Sequence, residues 1–92
     1  MIVSFKHKGL EKFFLSGSTA GIQAKHAAKL QVQLMTLNEA QDIDQMNFPS
    51  WRLHPLKGNL AGYWSITVNA NWRLTFKFEN GSAYIVDYQD YP

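Results

Sequence analysis

The second half of the chain alternates apolar and polar residues with the period of a β-strand. In YWSITV (63–68) and WRLTFKF (72–78), every second residue is aromatic or aliphatic. Alternate side chains of a strand point to opposite faces of a sheet, so both segments predict strands with one buried face. Asn80–Gly81 is a strong signal for a hairpin turn, and SAYIVDYQDY (82–91) is predicted as the return strand. A further short strand is predicted at Trp51–Leu53.

Helical spacing dominates the first half, after a short β-prone run at Ile2–Phe5. HKGLEKFFLSG (7–17) predicts a short helix that ends at its glycine. A second helix is predicted from about Ala20 to Asp42, capped by Ser18 or Thr19, since alanine, glutamine and lysine fill it. Its apolar stripe has 3-4-3 spacing and is predicted to face a core or a sheet: Ala27, Leu30, Leu34 and Leu37.

These elements follow the order β-α-α-β-β-β-β, which predicts an α+β fold with two helices on one side of a mostly antiparallel sheet. A length of 92 residues fits a single domain over 1–92. With 46% hydrophobic and 14% aromatic residues, the chain has enough apolar side chains for a packed core. Five aromatic residues are assigned mainly to that core: Trp51, Trp64, Trp72, Phe76 and Phe78.

The composition argues against several kinds of site. There is no cysteine, which removes disulfides, zinc fingers and thiol chemistry and fits a reducing compartment. The three histidines lack the spacing of metal ligands, and His7 and His26 look like ordinary helix or helix-edge residues, so no metal or other cofactor is expected. No run reaches the ~18 apolar residues of a membrane span, and the first residues have no apolar stretch of signal-peptide length. A cytoplasmic protein without membrane contact is expected.

The charges are segregated along the chain, although the net charge is only +2. Residues 1–30 carry five lysines against one glutamate, residues 31–50 carry three acids and no cation, and residues 51–77 carry four cations and no acid. Such blocks can build one basic face on a nearly neutral molecule, which suits a polyanionic ligand. A patchy surface without functional meaning is the alternative.

LHPLKG (53–58) places His54 and Lys57 three residues apart inside the acid-free block. Proline pushes the residue before it into an extended conformation, and Gly58 permits a tight turn after the lysine, so the two side chains can meet in one pocket. Histidine suits proton transfer near neutral pH, and lysine supplies a cation for phosphate. A solvated turn with a surface histidine and lysine is the plain alternative.

Arg73 is the one arginine of an otherwise mostly apolar strand, and by parity it lies on the open face of the sheet. A guanidinium can grip a phosphate with two parallel hydrogen bonds, which makes Arg73 a natural stabiliser of a phosphorane. An ion pair with Asp87 or Glu79 across the hairpin is the alternative.

The last strand ends in Asp90 and Tyr91. A carboxylate can act as a base, and a phenol can donate a hydrogen bond or stack on a nucleobase, although terminal residues are often frayed and inert. Simple alternation puts Asp90 on one face of the strand together with Tyr84, Val86 and Tyr88.

Three blocks together resemble the HigB toxins of the RelE-like superfamily: FKHKGLEKFF near the start, RLHPLKGNLAGYWSITVNANWRLTF in the middle and AYIVDYQDY at the end. The resemblance covers essentially the whole chain. It implies a microbial ribonuclease fold and a toxin that enters the ribosomal A site and cuts the translated mRNA within a codon, without a metal ion. The implied partners are a HigA-like helix-turn-helix antitoxin and the 70S ribosome with mRNA in its A site, and the free toxin is expected to be a monomer.

Carried over residue by residue, the family's catalytic positions fall on His54, Lys57, Arg73, Asp90 and Tyr91. Arg73 and Lys57 would offset the phosphate charge, while His54 and Asp90 compete for the acid and base roles. Tyr91 would orient or stack a base. Contacts to RNA or the ribosome are expected from a second set of residues: Lys6, Lys8, Arg52, Asn71 and Lys77.

The last residue departs from the family. Its members commonly finish Asp-Tyr-His, whereas this chain finishes Asp90–Tyr91–Pro92, and proline cannot transfer a proton. The chain is then a natural variant that relies on His54, an attenuated toxin or a deliberately inactivated one. A non-catalytic module that binds antitoxin or RNA is the main alternative function. A metal- or nucleotide-dependent enzyme fits less well, because the sequence has no phosphate loop or ligand cluster.

Overall fold

Two helices pack on one face of a four-stranded antiparallel sheet. The computed structural model describes residues 1–90. The helices are α1 (Lys8–Ser16) and α2 (Ala27–Glu39). The strands lie side by side in chain order: β1 (His54–Pro55), β2 (Tyr63–Asn69), β3 (Trp72–Glu79) and β4 (Ser82–Asp90). The predicted α+β fold is confirmed.

The core lies between the helices and the sheet, and both hydrophobic patterns supply it. Leu34 of α2, Ile66 of β2 and Phe76 of β3 are at most 1% exposed. Full burial of such a side chain stabilises the fold by roughly 1.5–3 kcal/mol. The assignment of five aromatic residues to the core is confirmed, since two are buried and three pack against it half-buried: Trp51, Phe76, Trp64, Trp72 and Phe78.

The first predicted strand, Ile2–Phe5, forms only isolated parallel bridges along the edge of β4. Its two ends pair with Ala83 and Val86. Between these pairs β4 carries a bulge, where Ile85 has a φ of 55° and the register with β3 shifts. The bulge interrupts the ladder, so this segment adds a parallel edge to the sheet without becoming a continuous strand.

The second helix is shorter than predicted at both ends. A loop and a 3₁₀ turn at Ala24–His26 precede it, so the predicted start near Ala20 is wrong. The Ser18 hydroxyl accepts a hydrogen bond from the Ala20 amide at 3.4 Å, which closes a local turn and caps no helix. At the other end, Asp42 is the N-cap of a separate 3₁₀ turn at Ile43–Met46.

The strand predicted at Trp51–Leu53 is misplaced. Pro49–Trp51 forms a 3₁₀ turn, and Arg52 follows it in the left-handed conformation, with a φ of 51°. Neither conformation can continue a sheet ladder. Extended pairing begins only at β1, where His54 lies opposite Ser65.

Two glycines hold the loop between the helices against α1. A Cβ added at Gly9 would lie 2.5 Å from the carbonyl oxygen of Gly21 and 2.7 Å from its Cα. Only hydrogen fits between the two backbones, so the loop lies directly on the first turn of α1. The contact lies within the stretch that was predicted to be helical, and α2 begins only at Ala27.

A buried histidine joins the end of this loop to the sheet. His26 is 2% exposed, and its Nδ1 lies 2.6 Å from the hydroxyl of Tyr88 on β4. Trp72 stacks on the same tyrosine with ring centroids 4.5 Å apart, and His7 packs against it edge-on at 5.4 Å. His26 lies at the edge of a helix as expected, since it is the N-cap of α2, but it is buried and joins the helix to the sheet. His7 is the N-cap of α1, where its Nδ1 accepts a hydrogen bond from the Leu10 amide.

Burial lowers the pKa of His26 below histidine's usual 6.5, and the charge of Lys25 lowers it further. Within residues 1–90 the buried Nε2 of His26 has no hydrogen-bond partner. Protonation would put a positive charge on this buried ring, and its Nε2–H would have no acceptor. The folded state therefore favours the neutral imidazole.

Gly9→Ala should destabilise the protein by about 1–3 kcal/mol, because the added methyl group forces two backbone segments apart. Intrinsic helix propensity alone predicts the opposite sign. Urea unfolding measures the difference, and Lys12→Ala, at an exposed position of α1, is the control expected to stay within about 0.5 kcal/mol of wild type. Wild-type stability of Gly9→Ala would contradict the close contact.

Stability should also fall as the pH drops below about 6.5, the ordinary pKa of histidine in an unfolded chain. From there down to the lower folded-state pKa of His26, the unfolded chain binds a proton that the folded protein does not, and unfolding is favoured. Urea midpoints at about pH 7.5 and pH 5.5 should therefore differ less in His26→Gln than in wild type. The exposed His54→Gln control should keep the wild-type difference, and an equal decline in all three proteins would refute this account.

Candidate active site

The sheet surface opposite the helices, here called the open face, carries polar and aromatic side chains in three cross-strand rows. The rows are Thr67–Arg73–Gln89, His54–Ser65–Thr75–Asp87 and Tyr63–Lys77–Tyr84. Directly opposite residues of antiparallel strands share a face, which is why each row can be read from the register. Ser65 and Thr75 are only 2% and 4% exposed, so the longer side chains around them form a rim above a floor of two hydroxyl groups.

Tyr84 reaches the open face because of the bulge in β4. Simple alternation predicts that it shares a face with Val86 and Tyr88, and this prediction is wrong. The extra residue at Ile85 reverses the parity, so Tyr84 lies opposite Lys77 while Val86 and Tyr88 stay buried. Nothing in the local sequence marks the bulge, since isoleucine disfavours a positive φ.

His54 is exposed on β1, and its ring is oriented by its own chain. Nδ1 lies 2.9 Å from the carbonyl oxygen of Arg52. A carbonyl only accepts, so Nδ1 carries the proton in the neutral ring and Nε2 keeps its lone pair. The left-handed conformation of Arg52, with a φ of 51°, belongs to the turn that presents this carbonyl. The arrangement gives His54 a free basic nitrogen, which suits general-base chemistry.

Lys57 follows β1 at an exposed position, directly before Gly58, whose φ is 66°. The Leu56 amide donates to the Tyr63 carbonyl at 2.8 Å, so pairing with β2 persists up to the turn. His54 and Lys57 therefore flank one short, anchored segment. Arg52 is exposed on the other side of His54 and adds a third cationic or titratable group to the same stretch.

Arg73 is half-buried near the start of β3, and its guanidinium is held by the β2–β3 turn. Nη1 donates to the carbonyls of Ala70 at 2.8 Å and Trp72 at 3.4 Å. The alternative ion pair with Asp87 is not formed: that carboxylate accepts hydrogen bonds from the Tyr88 amide at 2.9 Å and the Gln89 side chain at 2.6 Å. Two bonds to backbone carbonyls fix the guanidinium without neutralising its charge, which is what an anion site needs.

The register sets the spacing between these groups. His54 and Arg73 are separated by one strand across the sheet and one two-residue step along it, so their Cα atoms are about 12 Å apart. Both side chains rise from the same face. A ligand lying over Ser65 and Thr75 can therefore have the imidazole on one side and the guanidinium on the other.

Asp90 lies at the same end of the sheet as Arg73 but pairs with Trp72. It is exposed on the face that carries the helices, while Gln89 beside it lies opposite Arg73. A ligand that wraps around the end of the strands would reach both groups, whereas one confined to the open face would reach Arg73 alone.

Apart from Arg52, the residues expected to contact RNA fall on three parts of the surface. Lys6 and Lys8 are exposed on either side of the α1 N-cap, beside β4. Asn71 is exposed in the β2–β3 turn, next to the Arg73 anchor. Lys77 is half-buried on the open face, with its Nζ 5.2 Å from the centroid of the Tyr63 ring. Tyr91 and Pro92 lie outside the described residues.

Metal-binding clusters and membrane-spanning helices are both absent from residues 1–90. That part of the chain has no group of three or more histidine, cysteine, aspartate or glutamate residues placed to hold a metal ion. None of its helices combines the length and the apolar character needed to cross a membrane.

Comparison with known proteins supports the resemblance independently. Residues 3–92 match the family described as the RelE-like toxin of the type II toxin-antitoxin system HigB. The chain is 50% identical over 91 residues to Endoribonuclease HigB of Proteus vulgaris, and the match covers 99% of each protein.

A solved structure supports the fold. The crystal structure of a single-residue mutant of YafQ from E. coli superimposes with a TM-score of 0.59 at 21% identity, covering 96% of this chain and 89% of that one. At this identity the likeness concerns the fold alone. The family match and the identity over nearly the whole chain go further: the protein belongs to the HigB-like family of RelE-like toxins in type II toxin–antitoxin systems.

Proposed function

We propose that this chain is an endoribonuclease toxin that cuts mRNA in the ribosomal A site by metal-independent attack of the ribose 2′-OH. Family membership and the name of the Proteus vulgaris relative support the ribonuclease activity. The observation that carries the proposal is the open face itself, where, among residues 1–90, Nε2 of His54 is free and Arg73 is fixed without an acidic partner.

The reaction needs three functions at one phosphate. A base takes the proton of the 2′-OH as the O2′–P bond forms, cations stabilise the charge of the phosphorane, and an acid protonates the O5′ atom as the P–O5′ bond breaks. The products are a 2′,3′-cyclic phosphate and a free 5′-hydroxyl. His54 can serve as the base through Nε2, while Arg73 and Lys57 offset the phosphate charge.

The structure constrains the general acid less than the general base. Asp90 is exposed at the strand end next to Arg73, but its pairing with Trp72 puts it on the opposite face. It can act on an RNA that wraps around this end of the sheet. Tyr91 is proposed to orient or stack a base. The remaining RNA or ribosome contacts are assigned to Lys6, Lys8, Arg52, Asn71 and Lys77.

The system also requires partners. Membership of a type II toxin–antitoxin family implies an antitoxin. We propose that it is a HigA-like helix-turn-helix protein, that the toxin works in the cytoplasm on 70S ribosomes, and that the free toxin is a monomer. A neighbouring gene for a small helix-turn-helix protein would support the first of these proposals.

A non-cleaving module of the same fold is the second candidate. The specific observation in its favour is Pro92, which stands where the family commonly has a histidine able to transfer a proton. Such a protein would bind the antitoxin or the ribosome with ordinary affinity and leave the message intact.

Arg73→Ala should lower the cleavage rate by about 10²- to 10³-fold, because the phosphorane loses its fixed cation. Primer extension on ribosomes programmed with mRNA measures the cut ends. Lys29→Ala removes an equal charge from an exposed position of α2 and is the matched control, expected to cleave like wild type. Circular dichroism and urea midpoints should be alike in the three proteins. Cleavage by Arg73→Ala at the wild-type rate would mean that the phosphate binds elsewhere.

Pro92→His should increase cleavage by about 10²-fold or more, since general acid–base catalysis contributes 10²- to 10⁴-fold in typical enzymes. Pro92→Ala separates this effect from mere loss of the proline ring and should stay at the level of the original chain. The same primer-extension assay applies. If neither the original chain nor Pro92→His produces codon-phased cuts, the ribonuclease proposal fails and the non-cleaving module is favoured.

A further inference from the structure

A row of two tyrosines and a lysine occupies the end of the open face remote from Arg73. Tyr63 of β2 and Tyr84 of β4 lie on either side of Lys77 of β3, directly opposite it in the register. All three side chains are half-buried, so their aromatic and aliphatic parts are packed while part of each stays accessible. The Lys77 ammonium lies 5.2 Å from the centroid of the Tyr63 ring, a cation–π contact.

The bulge in β4 is what brings the second tyrosine into this row. Ile85 adopts a φ of 55°, which is costly for a β-branched residue, roughly as costly as other sparsely populated backbone conformations kept at functional sites. Its effect is to reverse the parity, so that Tyr84 pairs with Lys77 on the open face and does not join the buried Val86 and Tyr88. The bulge also serves the fold, since the Ile85 amide donates to the Ser4 hydroxyl at 2.9 Å, and it puts the Tyr84 ring on the open face beside Lys77.

We propose that Tyr63, Lys77 and Tyr84 form a second RNA subsite, which binds one unpaired nucleobase next to the cleaved step. The proposal rests on the ribonuclease function proposed above. Aromatic rings bind any base by stacking, and a cation packed among them strengthens the contact. On an exposed sheet surface, such a trio resembles the stacking platforms on which single-stranded RNA is held.

The charges around the row indicate a base and not a phosphate as its ligand. Glu79 lies on the same face two residues beyond Lys77 and is exposed, which disfavours a phosphate at that end of the sheet. The Asp87 carboxylate lies on the neighbouring row and is occupied by the Tyr88 amide and the Gln89 side chain. A single cation, Lys77, with the acidic Glu79 beyond it favours an uncharged nucleobase as the ligand over a phosphate.

The position of the row separates this subsite from Arg73, whereas His54 lies on the neighbouring row. Lys77 is four residues from Arg73 along β3, which corresponds to about 13 Å. The base held there consequently belongs to a flanking nucleotide and not to the one that is cut. Loss of the subsite should therefore weaken substrate binding and leave the chemical step nearly unchanged, which separates it from loss of Arg73.

Cleavage kinetics on programmed ribosomes test the proposal, in the original chain or in Pro92→His if that protein is more active. Tyr84→Leu and Tyr63→Leu should each raise KM roughly tenfold with little change in kcat, as expected for a stacked base. Tyr84→Phe keeps the ring, so its KM should stay close to that of the unsubstituted protein. Phe48→Leu, which removes an exposed ring that belongs to none of the three cross-strand rows, is the control expected to behave as the unsubstituted protein. Urea midpoints identify any variant whose fold has suffered.

Messages with an abasic nucleotide on either side of the cleavage site identify the source of the base. If the message supplies it, one abasic position should remove the difference between Tyr84→Leu and the unsubstituted protein. If ribosomal RNA supplies it, that difference should persist with every abasic message. The first outcome supports the proposal as stated, and the second overturns the assignment of the base to a flanking nucleotide of the message.

Unchanged KM values in well-folded Tyr84→Leu and Tyr63→Leu, in a protein that does cleave, would overturn the subsite and leave the ribonuclease function intact. If no cleavage occurs, the proposed function fails, and the affinity for a short labelled single-stranded RNA decides about the subsite by fluorescence anisotropy. Weaker binding by Tyr84→Leu than by Tyr84→Phe would support it, and equal binding would overturn it.

Discussion

The pairing of β3 with a neighbour on each side is the constraint on which the rest of the structure depends. Its alternate residues bury Leu74 and Phe76 against the helices and present Arg73 and Lys77 to the open face. A slip of one residue would exchange the two sets, so the burial that stabilises the fold also fixes the direction of the candidate phosphate-binding groups. The core therefore specifies the position of the site.

Much of this arrangement could be predicted from the sequence where the pattern is repetitive. Alternation predicted β2 and β3, and parity correctly put Arg73 on the face without helices. The errors have non-local causes. Gly21 contacts Gly9 within the stretch that was predicted to be helical, and β1 is only two residues long and is defined by its partner strand. Neither the contact between the two glycines nor the pairing of β1 produces a periodic pattern in the sequence.

The membership of the candidate site stays a prediction, to which the structure adds geometry that the sequence does not contain. The types and spacing of His54 and Arg73 suggest their chemistry, but only the structure gives the Arg52 carbonyl that selects the tautomer of His54. Likewise, a backbone conformation that isoleucine disfavours turns Tyr84 outward, so alternation necessarily predicts the wrong face for it. Residues that break the local rule are the ones that sequence patterns cannot place.

Charge distribution reconciles a net charge of only +2 with a polyanionic substrate. Gln41 packs against Gly81, which places the acidic segment that contains Asp42 and Asp44 near the β3–β4 turn, together with Glu79. Arg73 lies at the opposite end of β3, about 20 Å away along the strand. Screening at physiological salt acts over about 8 Å, so these acids hardly reduce the potential around the guanidinium. An RNA should therefore approach the end of the sheet near Arg73 first. Its flanking nucleotides can then extend along the open face towards the acidic end. At that end, base stacking has to hold them, because the charges there do not attract phosphate.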